Sequence, residues 1–277
     1  MAKILAYLGP EGTFSSQAAQ QYLQRPAATP LSLQSFPTIP AIFRALQANE
    51  VDLALVPAEN SIEGSVTATL DLLAQDIPLF IQGELVIPIV HNLLSRASCL
   101  NGVKKVLSHP QAIAQCRSFL AKELNHAQLI ETNSTAEAAR LVAEGDSTLA
   151  AISSLECAER YLLTPLASGI ADYSNNVTRF LLIGQEQANI PISNKTSLVI
   201  ALEKDRPGGL YQVLGFFARE NINLSRIESR PSKLELGKYI FFIDCEAGNN
   251  DHGMQRVLEE LAKFTVYLRN LGSYTQL

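Results

Sequence analysis

Short apolar runs at 4–8, 53–56, 103–107 and 149–152 are bounded by polar or turn residues, the pattern of strands buried on both faces. Between them, 16–24, 39–48, 66–73, 113–123 and 136–144 read as helices. The alternation predicts an α/β architecture with largely parallel sheets covered by helices. Residues 1–186 are too many for one small sheet, and the Pro-bounded stretch 77–90 reads as a crossover into a second lobe spanning roughly 77–165. Residues 166–184 would return the chain to the first lobe, leaving a cleft between the two with 175–180 at its hinge side. After a polar linker at 187–195 the pattern changes to strand 196–202, helix 209–220, strands 223–229 and 239–245, helix 251–262 and strand 265–271. That βαββαβ order over 196–277 is ferredoxin-like.

Composition narrows the function classes. A chain of 277 residues with 47% hydrophobic content can bury a substantial core. Its net charge of −5, with no cluster of Lys and Arg, argues against nucleic acid as a partner. The first apolar run ends at Gly9-Pro10, too short for a signal peptide or a spanning helix, so the expectation is a cytoplasmic protein with no membrane partner. Cys99, Cys116, Cys157 and Cys245 are far apart and the four His residues are isolated, so neither a disulfide framework nor a metal site is expected.

Candidate chemistry sits where loops run into helices, because the first N–H groups of a helix lack partners and carry the positive end of its dipole, which suits carboxylates. Thr13 and Ser15 precede one such helix and Glu59, Asn60, Ser61, Gly64 and Ser65 another. His109 and Gln111 flank Pro110 before a third, and Ser134 with Glu137 matches a capping box before a fourth. Each hydroxyl has a plain alternative role as an N-cap, worth about 1 kcal/mol. His109 reads first as a capping residue, with ligand binding as the alternative. The run ENSIEGS concentrates polar groups after an apolar strand, where α/β sheets bind ligands. GPEGTF lacks the endings of nucleotide-binding glycine loops, so no nucleotide cofactor is expected.

Five separated motifs, GPEGTFS (9–15), PAENSIEGS (57–65), NNVTRF (175–180), DRPGGLY (205–211) and ESRP (228–231), occur in one order. In them the chain resembles the prephenate dehydratase family with a C-terminal ACT domain. The resemblance implies a two-lobed catalytic domain similar to type II periplasmic binding proteins, followed by a ferredoxin-like ACT domain. It implies decarboxylative dehydration of prephenate to phenylpyruvate without a cofactor, with Thr178 as the catalytic hydroxyl, Arg179 pairing a substrate carboxylate and Phe180 packing beneath. A second group, such as Glu59, Glu63 or a water, would supply the proton. It further implies feedback by phenylalanine bound between paired ACT domains through Gly208, Gly209, Leu210, Asn223, Glu228, Ser229 and Arg230, hence a homodimer or a dimer of dimers. The family's Gly-Ala-Leu is Gly208-Gly209-Leu210 here, and Ala58 replaces a larger apolar residue. Arogenate dehydratase, acting on the amino analogue, is the rival enzyme reading, and a non-catalytic amino-acid sensor is the rival from another class.

Overall fold

The structure is a computed structural model that describes residues 3–25, 31–187, 193–202, 207–232 and 239–277. Asp205 and Arg206 of the glycine turn, and most of the linker, lie outside the described residues.

The first lobe contains β1 (Lys3–Leu8), α1 (Phe14–Leu23), β2 (Leu31–Phe36), α2 (Ile39–Gln47), β3 (Leu53–Asn60), β4 (Gly64–Ser65), α3 (Thr67–Leu73) and β5 (Phe80–Pro88). The second contains β6 (Asn92–Ser95), β7 (Lys105–Ser108), α4 (Pro110–Gln115), α5 (Arg117–Glu123), β8 (Gln128–Glu131), α6 (Thr135–Glu144), β9 (Leu149–Ser153), α7 (Leu155–Tyr161) and β10 (Thr164–Ala167). The chain then returns as β11 (Val177–Gly184), which completes the first sheet in the order β2-β1-β3-β11-β5 with β4 on β3. The second sheet runs β10-β6-β9-β7-β8.

Two boundaries differ from the sequence reading. Residues 80–88 belong to the first lobe, because β5 pairs along its whole length with β11, so the second lobe begins at Asn92. The helix expected at 113–123 is broken at Cys116, where the returning chain intrudes: the Asp172 N–H donates to Gln115 O at 2.7 Å, and the Asp172 carboxylate accepts from the Ser118 N–H at 3.1 Å. The first sheet is also mixed, since β11 runs antiparallel to both neighbours.

The C-terminal unit consists of β12 (Lys195–Leu202), α8 (Gly209–Arg219), β13 (Leu224–Pro231), β14 (Tyr239–Cys245), α9 (His252–Phe264) and β15 (Thr265–Tyr274). Its sheet order, β13-β14-β12-β15, is that of the ferredoxin-like fold. One face of this sheet packs on α8 and α9 through Ile200, Val213, Phe217, Ile243 and Leu261. The other shares a core with the first lobe, where Val199, Phe242, Leu271 and Tyr274 meet Leu79, Ile81 and Leu73. Full burial of such side chains stabilises by about 1.5–3 kcal/mol each, so the two units are joined by a hydrophobic interior and not merely tethered. Gly272 (φ +132°) lets β15 lie flush on β5, for a Cβ there would stand 2.4 Å from Ile81 O.

Candidate active site

The cleft between the lobes encloses about 400 Å³, within the range of small-molecule sites. From the first lobe come Thr13 and Ser15 at the start of α1, Asn60 at the end of β3, and Thr178 and Phe180 on β11. The second lobe contributes His109 and Gln111 at the start of α4 and Ser134 at the start of α6. Each of these was expected there. The structure adds His91, Gln115 and Asn176, together with Phe14, whose ring meets that of His91 edge-on at 5.7 Å.

The helix starts are built as their sequences suggest. Thr13 Oγ1 accepts from the Ser16 N–H at 3.3 Å while its own proton goes to Pro10 O at 2.9 Å. Ser134 Oγ accepts from the Glu137 N–H at 3.0 Å, and the Glu137 carboxylate reaches back to the Asn133 N–H at 2.9 Å. His109 caps α4 through Nδ1, which accepts from the Gln111 N–H at 3.3 Å. Capping and lining the cleft are therefore compatible roles for Ser134 and His109. Gly12 (φ +85°) allows the loop before α1 to touch the second lobe, with Gly12 O accepting from Ser154 Oγ at 3.3 Å and a Cβ there standing 2.9 Å from Cys157 Sγ.

Behind Thr178 lies a chain of amides. Asn60 Oδ1 accepts from the backbone N–H groups of Ile62 (3.0 Å) and Glu63 (3.1 Å), so its Nδ2 is the group that donates to Thr178 Oγ1 at 2.9 Å and to Asn176 Oδ1 at 2.7 Å. Asn176 Nδ2 donates to Gln115 Oε1 at 2.9 Å, and Gln115 Nε2 donates to the Glu63 carboxylate at 3.1 Å. His91 Nε2, 3.0 Å from Gln115 Oε1, must carry its proton, because that oxygen can only accept. Burial pushes the pKa of His91 below 6.5, only partly countered by the Gln115 bond, so the ring is neutral at pH 7. Thr178, 9% exposed, thus receives a hydrogen bond on oxygen and keeps its own proton for whatever occupies the cleft.

Arg179 is not in the cleft. Side chains alternate along a strand, and with Thr178 and Phe180 facing the lobes' interface the guanidinium emerges on the opposite side of β11. There it donates from Nε to Glu84 at 2.6 Å, from Nη1 to Asp244 at 2.6 Å and from Nη2 to Tyr274 Oη at 2.9 Å. Burial opposes its charge, but Asp244, Tyr274 and Glu84 outweigh burial and hold it protonated above its ordinary range. The expectation that Arg179 pairs a substrate carboxylate is thereby corrected. The same face takes Glu59, 3.7 Å from Arg179 and 3.5 Å from Arg226, and Ser65, which bonds Arg226 and Glu228. Ser61 joins β3 to β11, its Oγ donating to Asn175 O at 3.2 Å and accepting from the Val177 N–H at 3.0 Å. Gly64 opens β4 opposite Asn60, with φ +81°. These four residues shape the loop without lining the cleft.

In the C-terminal unit, Gly208 (φ +82°) opens α8 ahead of Gly209 and Leu210. Glu228 and Arg230 point from β13 toward the catalytic domain, Arg230 pairing with Asp71 at 2.9 Å, while Ser229 is exposed and Asn223 donates to Glu246 at 2.9 Å. Among the described residues no group of three or more His, Cys, Asp or Glu is arranged to hold a metal ion, and no helix is long and apolar enough to cross a membrane.

A two-lobed domain with a Thr-bearing hinge strand, followed by a ferredoxin-like module, is matched by two family models: prephenate dehydratase over residues 5–188 and ACT domain over 196–263. The chain belongs to the prephenate dehydratase family. A prephenate dehydratase of Methanocaldococcus jannaschii is 44% identical over 99% of this chain and 98% of its own. Among solved structures, prephenate dehydratase in complex with L-Phe from Arthrobacter aurescens superposes with a TM-score of 0.88 at 35% identity, covering 99% of this chain and 90% of that one. GqqA, described as a novel type of quorum quenching acylase, superposes with a TM-score of 0.86 at 28% identity, covering 99% and 98%. Membership places this chain among the decarboxylating carbon–oxygen lyases, with an ACT domain behind the catalytic one.

Proposed function

We propose that the cleft converts prephenate to phenylpyruvate, carbon dioxide and water. The observation that carries this reading is the lining of the cleft: among the described residues no Asp, Glu, Lys or Arg lines it. Anion binding then falls to the N-termini of α1 and α6, with the hydroxyls of Ser15 and Thr135 beside them. Prephenate offers two carboxylates, a ketone and one ring hydroxyl. A site without a carboxylate suits the ketone and leaves the ammonium of arogenate without a charged partner, a costly burial. This favours prephenate over arogenate.

As the bond to the ring carboxylate breaks, its electron pair enters the ring, the C–O bond opposite breaks, and the ring becomes aromatic. The departing oxygen needs a proton, and Thr178, fixed by Asn60, is the donor poised to assist it. Neither carboxylate weighed as proton source reaches Thr178: Glu59 lies with Arg179 and Arg226, and Glu63 is separated from it by Gln115, Asn176 and Asn60. One proton per turnover is therefore taken from water. The acylase reading lacks support, because Thr178 Oγ1 is bonded to an amide donor and, among the described residues, no base is bonded to it to activate it as a nucleophile.

Regulation by phenylalanine is the companion proposal, supported by the ACT match and by the L-Phe complex of the Arthrobacter aurescens relative. Gly208, Gly209, Leu210, Asn223 and Ser229 would form the effector site across a pair of ACT domains, so that the active species is a homodimer or a dimer of dimers. Exposed Ile227 and Val266 on the ACT sheet supply apolar surface for pairing. A ligand that shifts β13 would reach the catalytic domain through Arg226, Glu228 and Arg230. Phenylpyruvate released from prephenate, with turnover lowered by added phenylalanine, is the expected result; prephenate left intact by folded enzyme would refute the catalytic reading, and turnover indifferent to phenylalanine the regulatory one.

A further inference from the structure

The amide chain behind Thr178 has a direction. Its first member is set by backbone N–H groups at Asn60 Oδ1, its last by the Glu63 carboxylate at Gln115 Nε2, and Asn176 is the link between them. Asn176 is 3% exposed and stands at the end of the segment by which the second lobe returns to the first. Its oxygen is held by Asn60 on β3 of one lobe, and its nitrogen holds Gln115 on α4 of the other. Turning over any single amide would set donor against donor or acceptor against acceptor within a low-dielectric interior.

We infer that Asn176 is a positioning residue for the dehydration: it passes the hydrogen-bond direction fixed at Asn60 on to Gln115 in the other lobe, and so holds Asn60, with the Thr178 hydroxyl bonded to it, in place against the second lobe. The inference rests on the dehydratase reading for its kinetic consequence. Its structural consequence, the Nε2–H tautomer of His91, stands apart from any substrate.

An isosteric variant reverses the polarity. In Asn176→Asp the ionised side chain sets an oxygen against Gln115 Oε1, and rotation of the Gln115 amide removes that clash while giving up its bond to the exposed Glu63 carboxylate, which turns to solvent. The rotated amide presents N–H to His91 Nε2, which moves the ring proton to Nδ1. At acid pH the protonated carboxyl donates as the asparagine did, and the original direction returns. Titratable groups on the neighbouring elements are Glu63 and His91, both reached through Gln115, His109, whose Nδ1 caps α4, and Asp172, which accepts from Ser118 N. None of them contacts the Asn176 side chain among the described bonds.

Prephenate turnover by Asn176→Asp should fall about 100-fold in kcat near pH 8 with KM within about threefold, the scale of a misplaced catalytic group. It should recover as the pH is lowered, which the unaltered enzyme should not do. In the same protein labelled with ¹⁵N-histidine, the His91 resonances should change from the Nε2–H to the Nδ1–H tautomer. Unchanged kcat, or a loss that is equal at every pH with the His91 tautomer unmoved, would overturn the inference in favour of simple packing. Should this variant fail to fold, Asn176→Leu keeps the shape without a titratable group, and it must lose kcat without acid recovery; kcat within about threefold of normal would equally overturn the inference. Failure of the unaltered enzyme on prephenate would instead refute the dehydratase reading, with the tautomer result still decisive for the positioning role.

Discussion

Two polar regions lie back to back across β11, and they are built on opposite principles. The cleft side carries Thr178 among neutral amides, hydroxyls and helix starts. One residue along, Arg179 enters a junction packed with charge, where Glu84 also takes Lys195 at 2.8 Å and Asp244 also accepts from Ser197 at 2.5 Å. Neutral donors can receive a dianion without first breaking an internal ion pair. A charge cluster shared by two domains can instead report the position of one to the other. The alternation of a single strand thus places the cleft hydroxyl and the interdomain clasp at adjacent residues, Thr178 and Arg179.

The sharpest way to separate the two regions is to disable each. Thr178→Val removes the donor while keeping the shape, and kcat on prephenate should fall by about 10²–10⁴ with the melting temperature nearly unchanged. Arg179→Met should do the reverse: it leaves Glu84 and Asp244 buried with one fewer cation, a loss of about 3–5 kcal/mol in denaturant unfolding, and any surviving folded enzyme should bind substrate normally. A rise in KM without loss of stability would return Arg179 to the cleft.

Smaller changes refine the contrast. Ser134→Ala should cost about 1 kcal/mol through the lost cap and raise KM severalfold, because cap and substrate seat coincide at the start of α6. Ser154→Ala, a cap of the same kind on α7 outside the cleft, should show a similar stability loss without the KM change. The pH effect is smaller still. His91 is neutral when folded because its pKa lies below 6.5, whereas the unfolded chain protonates it at 6.5. Below 6.5 the unfolded state therefore binds more protons, and stability falls as the pH drops toward the folded value. Melting curves of the unaltered protein and His91→Phe across that window should converge at acid pH.

Much of this was legible in the sequence, for identifiable reasons. The C-terminal βαββαβ order could be read because each strand and helix shows its own period between turn signals, so local pattern and fold agree. The lobe boundary could not, since 80–88 takes its place only by pairing with β11 at 177–184, a partner that no local pattern reveals. Gln115 was hidden as one of several polar residues in the stretch expected to be a helix, and the intruding Asp172 that breaks that helix leaves no local mark. Arg179 is the instructive error. The resemblance to the family motif put Thr178 and Arg179 in one site, though the period of a strand already places consecutive residues on opposite faces. Glu59 and Ser65 were misplaced for the same reason, because β3 and β4 present them to the junction while Asn60 turns to the cleft.

The central claim is that a carboxylate-free, donor-lined cleft selects a keto dianion and dehydrates it. Parallel measurement of kcat/KM on prephenate and arogenate with the unaltered enzyme tests it most directly. Prephenate should be favoured by at least about tenfold, the equivalent of about 1.4 kcal/mol for burying an ammonium without a charged partner. Equal or greater efficiency on arogenate would contradict that account of how the cleft recognises its substrate.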